Sequence, residues 1–301
     1  METYHIPVLL EQSCELMGLA DGGIYVDLTF GGGGHSREIL RRMGANSHLY
    51  SFDRDADAAA NVPQDERFTF IRNNFRFMRG CLRAEGVEEV DAVLADLGVS
   101  SHHFDDAARG FSYRFDAPLD MRMNQQAKFS ARELLNEYDE ESLISIMRQY
   151  GELKEAGRVA RAIVKRRDTA TLQTINDLLE TVEPCIPRGG DRNKFLAQVF
   201  QAIRIEVNGE LEALKMMLEQ ATRILRPGGR LVIITYHSLE DRLVKNFMRA
   251  GNFDGTPVKD FYGRVEAPLE VVNNKPIVPD AAEQEQNTRS RSAKLRCAIK
   301  L

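Results

Sequence analysis

Ile24-Tyr25-Val26-Asp27-Leu28-Thr29-Phe30-Gly31-Gly32-Gly33-Gly34-His35-Ser36 is the stretch on which the reading of this 301-residue chain turns. Ile24, Tyr25 and Val26 form an apolar strand-like run, four glycines follow closely, and a helix-like pattern runs from Ser36 to Met43. Glycines at a strand-to-helix turn let the backbone approach a ligand and aim amide donors at it. A second apolar run, His48 to Phe52, ends in Asp53. That is roughly 20 residues beyond the turn, where an acid meets a ribose hydroxyl in nucleotide-type folds. The pattern predicts an adenosine-bearing cofactor. The competing reading is a tight, glycine-rich surface turn.

The spacing of the glycines narrows the ligand. A dinucleotide fingerprint, G-x-G-x-x-G, begun at Gly31 and Gly33 asks for glycine or alanine at position 36, where Ser36 stands. This disfavours a nicotinamide-dependent oxidoreductase. A phosphate-binding P-loop needs a lysine after its glycines, and there is none. Asp27 at the turn would repel a pyrophosphate and suits the cationic amino acid end of S-adenosylmethionine.

Working outward, the first third alternates strand and helix patterns. Strands are expected at Ile24–Leu28, His48–Phe52, Arg67–Ile71 and Asp91–Ala95, with helical stretches over Ser36–Met43, Asp55–Asn61 and Phe75–Glu85. Such alternation implies an α/β fold with parallel strands joined by right-handed crossovers. Asp27, Asp53 and Asp96 each end a strand, and ligands of open α/β sheets sit outside the carboxyl ends of the strands, so these acids should converge on one crevice. From about Arg109 to Ile205 the rhythm gives way to helical patterns: Ser130–Asn136, Glu140–Tyr150, Leu153–Arg167 and Thr171–Val182. It resumes with a helix over Gly209–Leu225, the turn Arg226-Pro227-Gly228-Gly229, a strand over Arg230–Thr235 and a helix over Ser238–Arg249. Pro257 to Asn287 reads as loop, followed by a last strand over Ala293–Ile299. The domain expectation is therefore a discontinuous α/β domain, 1–108 with 206–301, carrying a helical insertion at 109–205.

Composition bounds the class. An apolar content of 43% supports a real core, and no apolar run approaches the ~20 residues that span a bilayer. The start, Met1-Glu2-Thr3-Tyr4-His5, lacks the segments of a signal peptide. Cys14, Cys81, Cys185 and Cys297 are isolated, which favours a reducing cytoplasm over a disulfide framework. No metal-ligand spacing is present. The net charge of −5 carries no global nucleic-acid signature, although local cationic clusters would suffice for such binding.

Further blocks lie in the order Asp96-Leu97-Gly98-Val99-Ser100-Ser101, Arg109-Gly110-Phe111-Ser112, Pro118-Leu119-Asp120-Met121-Arg122-Met123, Phe200-Gln201-Ala202-Ile203-Arg204-Ile205, Tyr236-His237-Ser238-Leu239-Glu240-Asp241-Arg242 and Arg289-Ser290-Arg291-Ser292-Ala293-Lys294-Leu295-Arg296. With Asp27–Ser36 and His5-x-Pro7-Val8-Leu9-Leu10, the chain resembles the bacterial 16S ribosomal RNA (cytosine-N4)-methyltransferase family over nearly its whole length. The resemblance implies a class I S-adenosylmethionine-dependent methyltransferase fold, Rossmann-like and mostly parallel. It implies methyl transfer to the exocyclic N4 of a cytidine near the ribosomal P site, with the insertion serving RNA recognition. It assigns Gly33, Gly34 and His35 to the amino acid and sulfonium side of the cofactor, Asp53 to the ribose hydroxyls, Phe75 to the adenine and Asp96 to the crevice floor. The chain departs from many relatives twice: they carry a basic residue as the second member of the glycine run, and glutamine where His103 stands. His103 keeps the hydrogen-bonding ability and makes that cofactor contact pH-sensitive.

Asp96, or the loop backbone beside it, is the candidate for orienting the cytosine amine. His237 also projects toward the crevice, as a participant in the chemistry or as a hydrogen-bonded structural group, while Ser238 with Asp241 reads as a helix cap. For RNA contact, Arg158, Arg161 and Lys165 share a helical face beside Arg166 and Arg167. A C-terminal run holds Arg289, Arg291, Lys294, Arg296 and Lys300. Phe111, Tyr113 and Phe115 are candidate stacking partners. The expected partner is 16S ribosomal RNA, naked or in the small ribosomal subunit, with no membrane; monomer or homodimer stays open. A non-catalytic small-subunit assembly factor retaining the fold is the alternative.

Overall fold

The computed structural model describes residues 7–98, 106–263 and 266–301, so His5 and His103 lie outside the described residues. The chain divides into two compact units, one up to Gly98 together with Leu211–Leu301, the other Val99–Glu210.

The first unit opens with α1 (Leu10–Met17), then β1 (Ile24–Asp27), α2 (Gly34–Arg42), β2 (His48–Asp53), β3 (Phe68–Arg72), α3 (Met78–Ala84) and β4 (Val90–Asp96). Two stretches expected as α-helix are partly 3₁₀ turns, Asp57–Asn61 and Phe75–Phe77. Side chains explain both. Asp55 Oδ1 accepts from the Asp57 amide and Asn74 Oδ1 from the Arg76 amide, and these local bonds compete with the α-helical ladder. Helix α2 begins two residues earlier than its pattern suggests, because Gly33 at φ 76° supplies the left-handed step that opens it.

The second unit is helical: α4 (Ala131–Glu137), α5 (Glu140–Gln149), α6 (Ala156–Arg167), α7 (Ile175–Val182) and α8 (Arg192–Asn208). Ser130 with Glu133 and Thr174 with Asp177 form capping boxes at α4 and α7. Leu134, Leu143, Met147, Val159, Ile163, Leu178, Leu196, Val199 and Ile203 pack into one core. Asp191 caps α8, its Oδ1 accepting from the amides of Asn193 and Lys194 at 2.8 and 3.2 Å. Asp191→Ala should therefore cost this unit about 1 kcal/mol, read as a lowered denaturant midpoint with an unchanged slope.

The chain then returns through α9 (Glu210–Ile224), β5 (Leu225–Thr235), α10 (Ser238–Ala250), β6 (Leu269–Val271), α11 (Ala281–Gln286) and β7 (Lys294–Lys300). The sheet order is β3-β2-β1-β4-β5-β7-β6. Strands β3 to β5 are parallel, and β7 runs antiparallel between β5 and β6. Pairing with β4 jumps from Val90↔Leu225 to Ala92↔Arg230, so the Arg226–Gly229 turn loops out of the ladder. Cys14, Met17, Ile39 and Leu40 cover one face of the sheet. Met78, Leu82, Leu214, Met217, Val244 and Phe247 cover the other. This is the class I Rossmann-like arrangement expected. Among the described residues, no helix is long and apolar enough to cross a membrane.

Candidate functional site

Because β2, β1 and β4 are parallel neighbours, their carboxyl ends bring Asp53, Asp27 and Asp96 to one edge of the sheet. The three acids have different duties there. Asp27 is buried, its Oδ2 accepting from the Ser36 hydroxyl at 2.6 Å and its Oδ1 from the Thr29 amide at 3.0 Å. It holds the turn from beneath as a buried acceptor. The Asp53 carboxylate accepts from the Gly31 amide at 2.8 Å and the Asp55 amide at 2.8 Å, one on each oxygen, and each oxygen keeps a second acceptor lone pair. Burial raises the Asp53 carboxyl above the ordinary carboxylate value, against these two hydrogen bonds.

Glycine is required where the turn becomes α2. A Cβ on Gly33 would lie 2.9 Å from the Phe30 ring, and one on Gly34 would lie 2.2 Å from Pro7 Cγ. The next residue, His35, is buried, with Nε2 3.1 Å from the Val8 carbonyl and Nδ1 3.8 Å from Asp96 Oδ2. With its Nε2–H donating to Val8, the ring turns Nδ1 toward Asp96. Asp96 is fixed on two further sides: its amide donates to Thr29 Oγ1 at 2.7 Å, and its Oδ1 accepts from the Tyr236 hydroxyl at 2.7 Å. Burial pushes the Asp96 carboxyl up to about 6, with His35 and the Tyr236 hydrogen bond pulling the other way. Burial and the facing carboxylate raise the Tyr236 phenol well above its usual value, so it remains a donor.

Tyr236 is the residue that sequence reasoning missed. Its ring lies over Gly98, where a Cβ would come within 3.0 Å of it, so the small residue after β4 makes room for the phenol. The adjacent His237, not Ser238, is the N-cap of α10. Its Nδ1 accepts from the Glu240 amide at 3.4 Å, and Glu240 Oε2 accepts from the amides of Tyr236 and His237. The cap thus sits one residue earlier than the Ser238–Asp241 reading, because Glu240 is the buried carboxylate while Asp241 turns to Arg296 and Lys294. Phe75 starts the 3₁₀ turn after β3 and packs partly against the core.

The cationic candidates separate. Arg158, Arg161 and Lys165 are exposed along α6, Arg158 Nη2 donating to the Pro184 carbonyl and Arg161 Nε to the Gly157 carbonyl, while Arg167 Nη1 is held by the carbonyls of Leu135 and Tyr138. In the C-terminal run, Arg296 and Lys294 bind Asp241 and Lys300 reaches the Pro268 carbonyl. Of the three aromatics, Phe111 is buried in the helical core and Tyr113 packs edge-on against Phe200, leaving Phe115 exposed.

The MraW methylase family profile matches residues 2–301. Relatives called ribosomal RNA small subunit methyltransferase H are similar along the whole chain. The one from Phocaeicola vulgatus is 58% identical over 299 residues, covering 99% of this chain and 98% of that protein. Those from Parabacteroides distasonis and Bacteroides thetaiotaomicron are 57% and 56% identical, with the same shares covered. A glycine turn and three strand-end acids on a Rossmann-like sheet, matched end to end in this way, place the chain in the MraW methylase family of methyltransferases.

Proposed function

We propose that this protein transfers a methyl group from S-adenosylmethionine to the exocyclic N4 of a cytidine in the decoding centre of 16S ribosomal RNA, at the P site. The observation that carries the reading is Asp96, an acceptor clamped by Thr29 and Tyr236 beside a glycine turn. The crevice suits this donor: its acids favour a cation over a pyrophosphate, and Asp53 retains acceptor capacity for ribose hydroxyls. Gly33, Gly34 and His35 would hold the amino acid side, and Phe75 the adenine. When bound, S-adenosylmethionine supplies an electrophilic methyl group on a sulfonium.

The chain's own residues address the difficulty of the acceptor. The amine lone pair of cytosine is delocalised into the ring, so the nitrogen must be turned toward tetrahedral geometry and held in line with the methyl group. Asp96 Oδ2, free of the Tyr236 bond, accepts a hydrogen bond from the amine and does both. Positioning of this kind contributes up to ~7–11 kcal/mol. The N–C bond forms as the S–C bond breaks, and the methylated cytidinium is acidic enough to give its proton to water. The target base is splayed from its stack to reach the crevice. The exposed row Arg158, Arg161 and Lys165 on α6 supports an RNA-recognition role for the helical unit.

The test is transfer of tritium from S-adenosylmethionine to small-subunit RNA, followed by nucleoside mass analysis. Label in N4-methylcytidine is expected. No transfer, with RNA binding retained, would favour an assembly factor, and label at another atom would overturn the N4 assignment. Tyr236→Phe should slow transfer about tenfold, a loss in the range of one hydrogen bond to a charged group. Removing that bond lifts the Asp96 carboxyl further, so the acid limb of the rate profile should move to higher pH. A slower rate with an unmoved limb would refute this link.

A further inference from the structure

Helix α10 leaves the crevice directly after Tyr236 and bears a row of side chains that the transfer chemistry does not use. Its exposed positions are Ser238, Arg242, Lys245 and Arg249, spaced by three and four residues and so aligned along one side. Leu239, Val244, Phe247 and Met248 on the opposite side are buried. Neither carboxylate of the first turn joins the row: Glu240 is buried, and Asp241 is bound to Lys294 and Arg296. At a rise of 1.5 Å per residue, Arg242 to Arg249 spans roughly 10 Å.

Beyond the helix, Arg249 Nη2 lies 3.5 Å from the Gly255 carbonyl, and the segment that follows presents two aromatic rings to solvent. Phe261 is 98% exposed and Tyr262 82%, with ring centroids 5.6 Å apart, edge to face. Asp260 shapes this turn by accepting from the Tyr262 amide, and Lys259 beside it is exposed. Large apolar side chains left in water in this way mark an interaction surface.

We propose that Arg242, Lys245 and Arg249 with Phe261 and Tyr262 form the docking surface for the single-stranded RNA flanking the target base. The inference rests on the RNA methyltransferase reading above. A cationic track paired with stacking rings is what a single strand recognises: the cations follow its phosphates and the rings take its bases. A strand whose target base lies in the crevice must leave at the crevice edge, and α10 starts at that edge. The cationic row favours RNA over a protein partner.

The test uses the full-length protein with two double variants, Lys245→Glu/Arg249→Glu and Phe261→Ala/Tyr262→Ala. The probes are small ribosomal subunits lacking the modification and the deproteinised 16S RNA extracted from them. Binding is measured across a salt series, and KM and kcat for methyl transfer are measured alongside. Charge reversal should weaken binding to both probes at least tenfold and lower the salt slope by about 1.4, two cations at roughly 0.7 each. The aromatic variant should lose about tenfold with its slope unchanged. In both, KM should rise while kcat and S-adenosylhomocysteine affinity hold. Unchanged RNA affinity and slope with intact S-adenosylhomocysteine binding would overturn the proposal. So would a loss confined to intact subunits, which would indicate a ribosomal protein. If the wild-type protein methylates neither probe, the methyltransferase reading fails, and the binding measurements still decide the surface.

Discussion

Asp96→Ala is expected to abolish methyl transfer, by ~10³-fold or more in a single turnover at saturating donor, because it removes a preorganised charge and the alignment it enforces. The residue is fixed at its backbone by the bond from its amide to Thr29 Oγ1 and at its carboxylate by the Tyr236 hydroxyl, with the His35 ring 3.8 Å away. Asp96→Asn keeps an acceptor oxygen but loses the charge, and should recover part of the rate. The pH dependence has a definite sign. The active form is the carboxylate, its carboxyl is pushed up to about 6, and transfer should therefore fall as pH drops through that value. Near-normal single-turnover methylation by the alanine variant would remove Asp96 from the mechanism. A flat acid limb in the wild type would separate it from the rate profile.

Asp53→Ala should weaken S-adenosylhomocysteine binding by ~10²-fold or more, read by calorimetry. On the proposed reading, two hydrogen bonds from ribose hydroxyls to a charged acceptor would be lost, at about 1.5–3 kcal/mol each. The Gly31 and Asp55 amides also lose their acceptor, so the glycine turn is loosened from β2 at the same stroke. Asp53→Asn retains one acceptor oxygen and should lose about tenfold. Burial raises this carboxyl, so wild-type donor affinity should decline on acidification, while the asparagine variant has nothing to titrate there. A ligand affinity unchanged in Asp53→Ala would place the ribose elsewhere.

The meeting of the glycine turn with the strand-end acids at one sheet edge was legible because its signals are local. A strand-end acid, a glycine turn and a second strand-end acid lie within one β-α-β unit, and parallel pairing converts sequence order into spatial adjacency. Tyr236 was not legible as the partner of Asp96: the two are 140 residues apart, and only the β4–β5 pairing brings them together. The α10 cap was displaced by one residue because Ser238-Asp241 and His237-Glu240 both fit the three-residue spacing, and burial of Glu240 decides between them. Helix α8 was hidden for a different reason. Phe195, Leu196, Val199, Phe200, Ala202, Ile203 and Ile205 are buried around much of its circumference, which erases the polar face that makes a helix visible in sequence. The C-terminal cations looked like one cluster, yet Lys294 and Arg296 alternate along β7 and share Asp241.

The interrupted first unit also has a consequence for the order in which the protein is made. Strand β4 is synthesised before the whole of residues 99–210, and its neighbour β5 only after them. Until then Val90-Asp91-Ala92-Val93-Leu94-Ala95-Asp96 is an unpaired apolar edge, a liability for association between nascent chains. The helical unit, with its own core, is complete in the meantime. Asp96 gains its Tyr236 partner only once β5 has docked, so this hydrogen bond is among the last contacts of the sheet edge to form during synthesis.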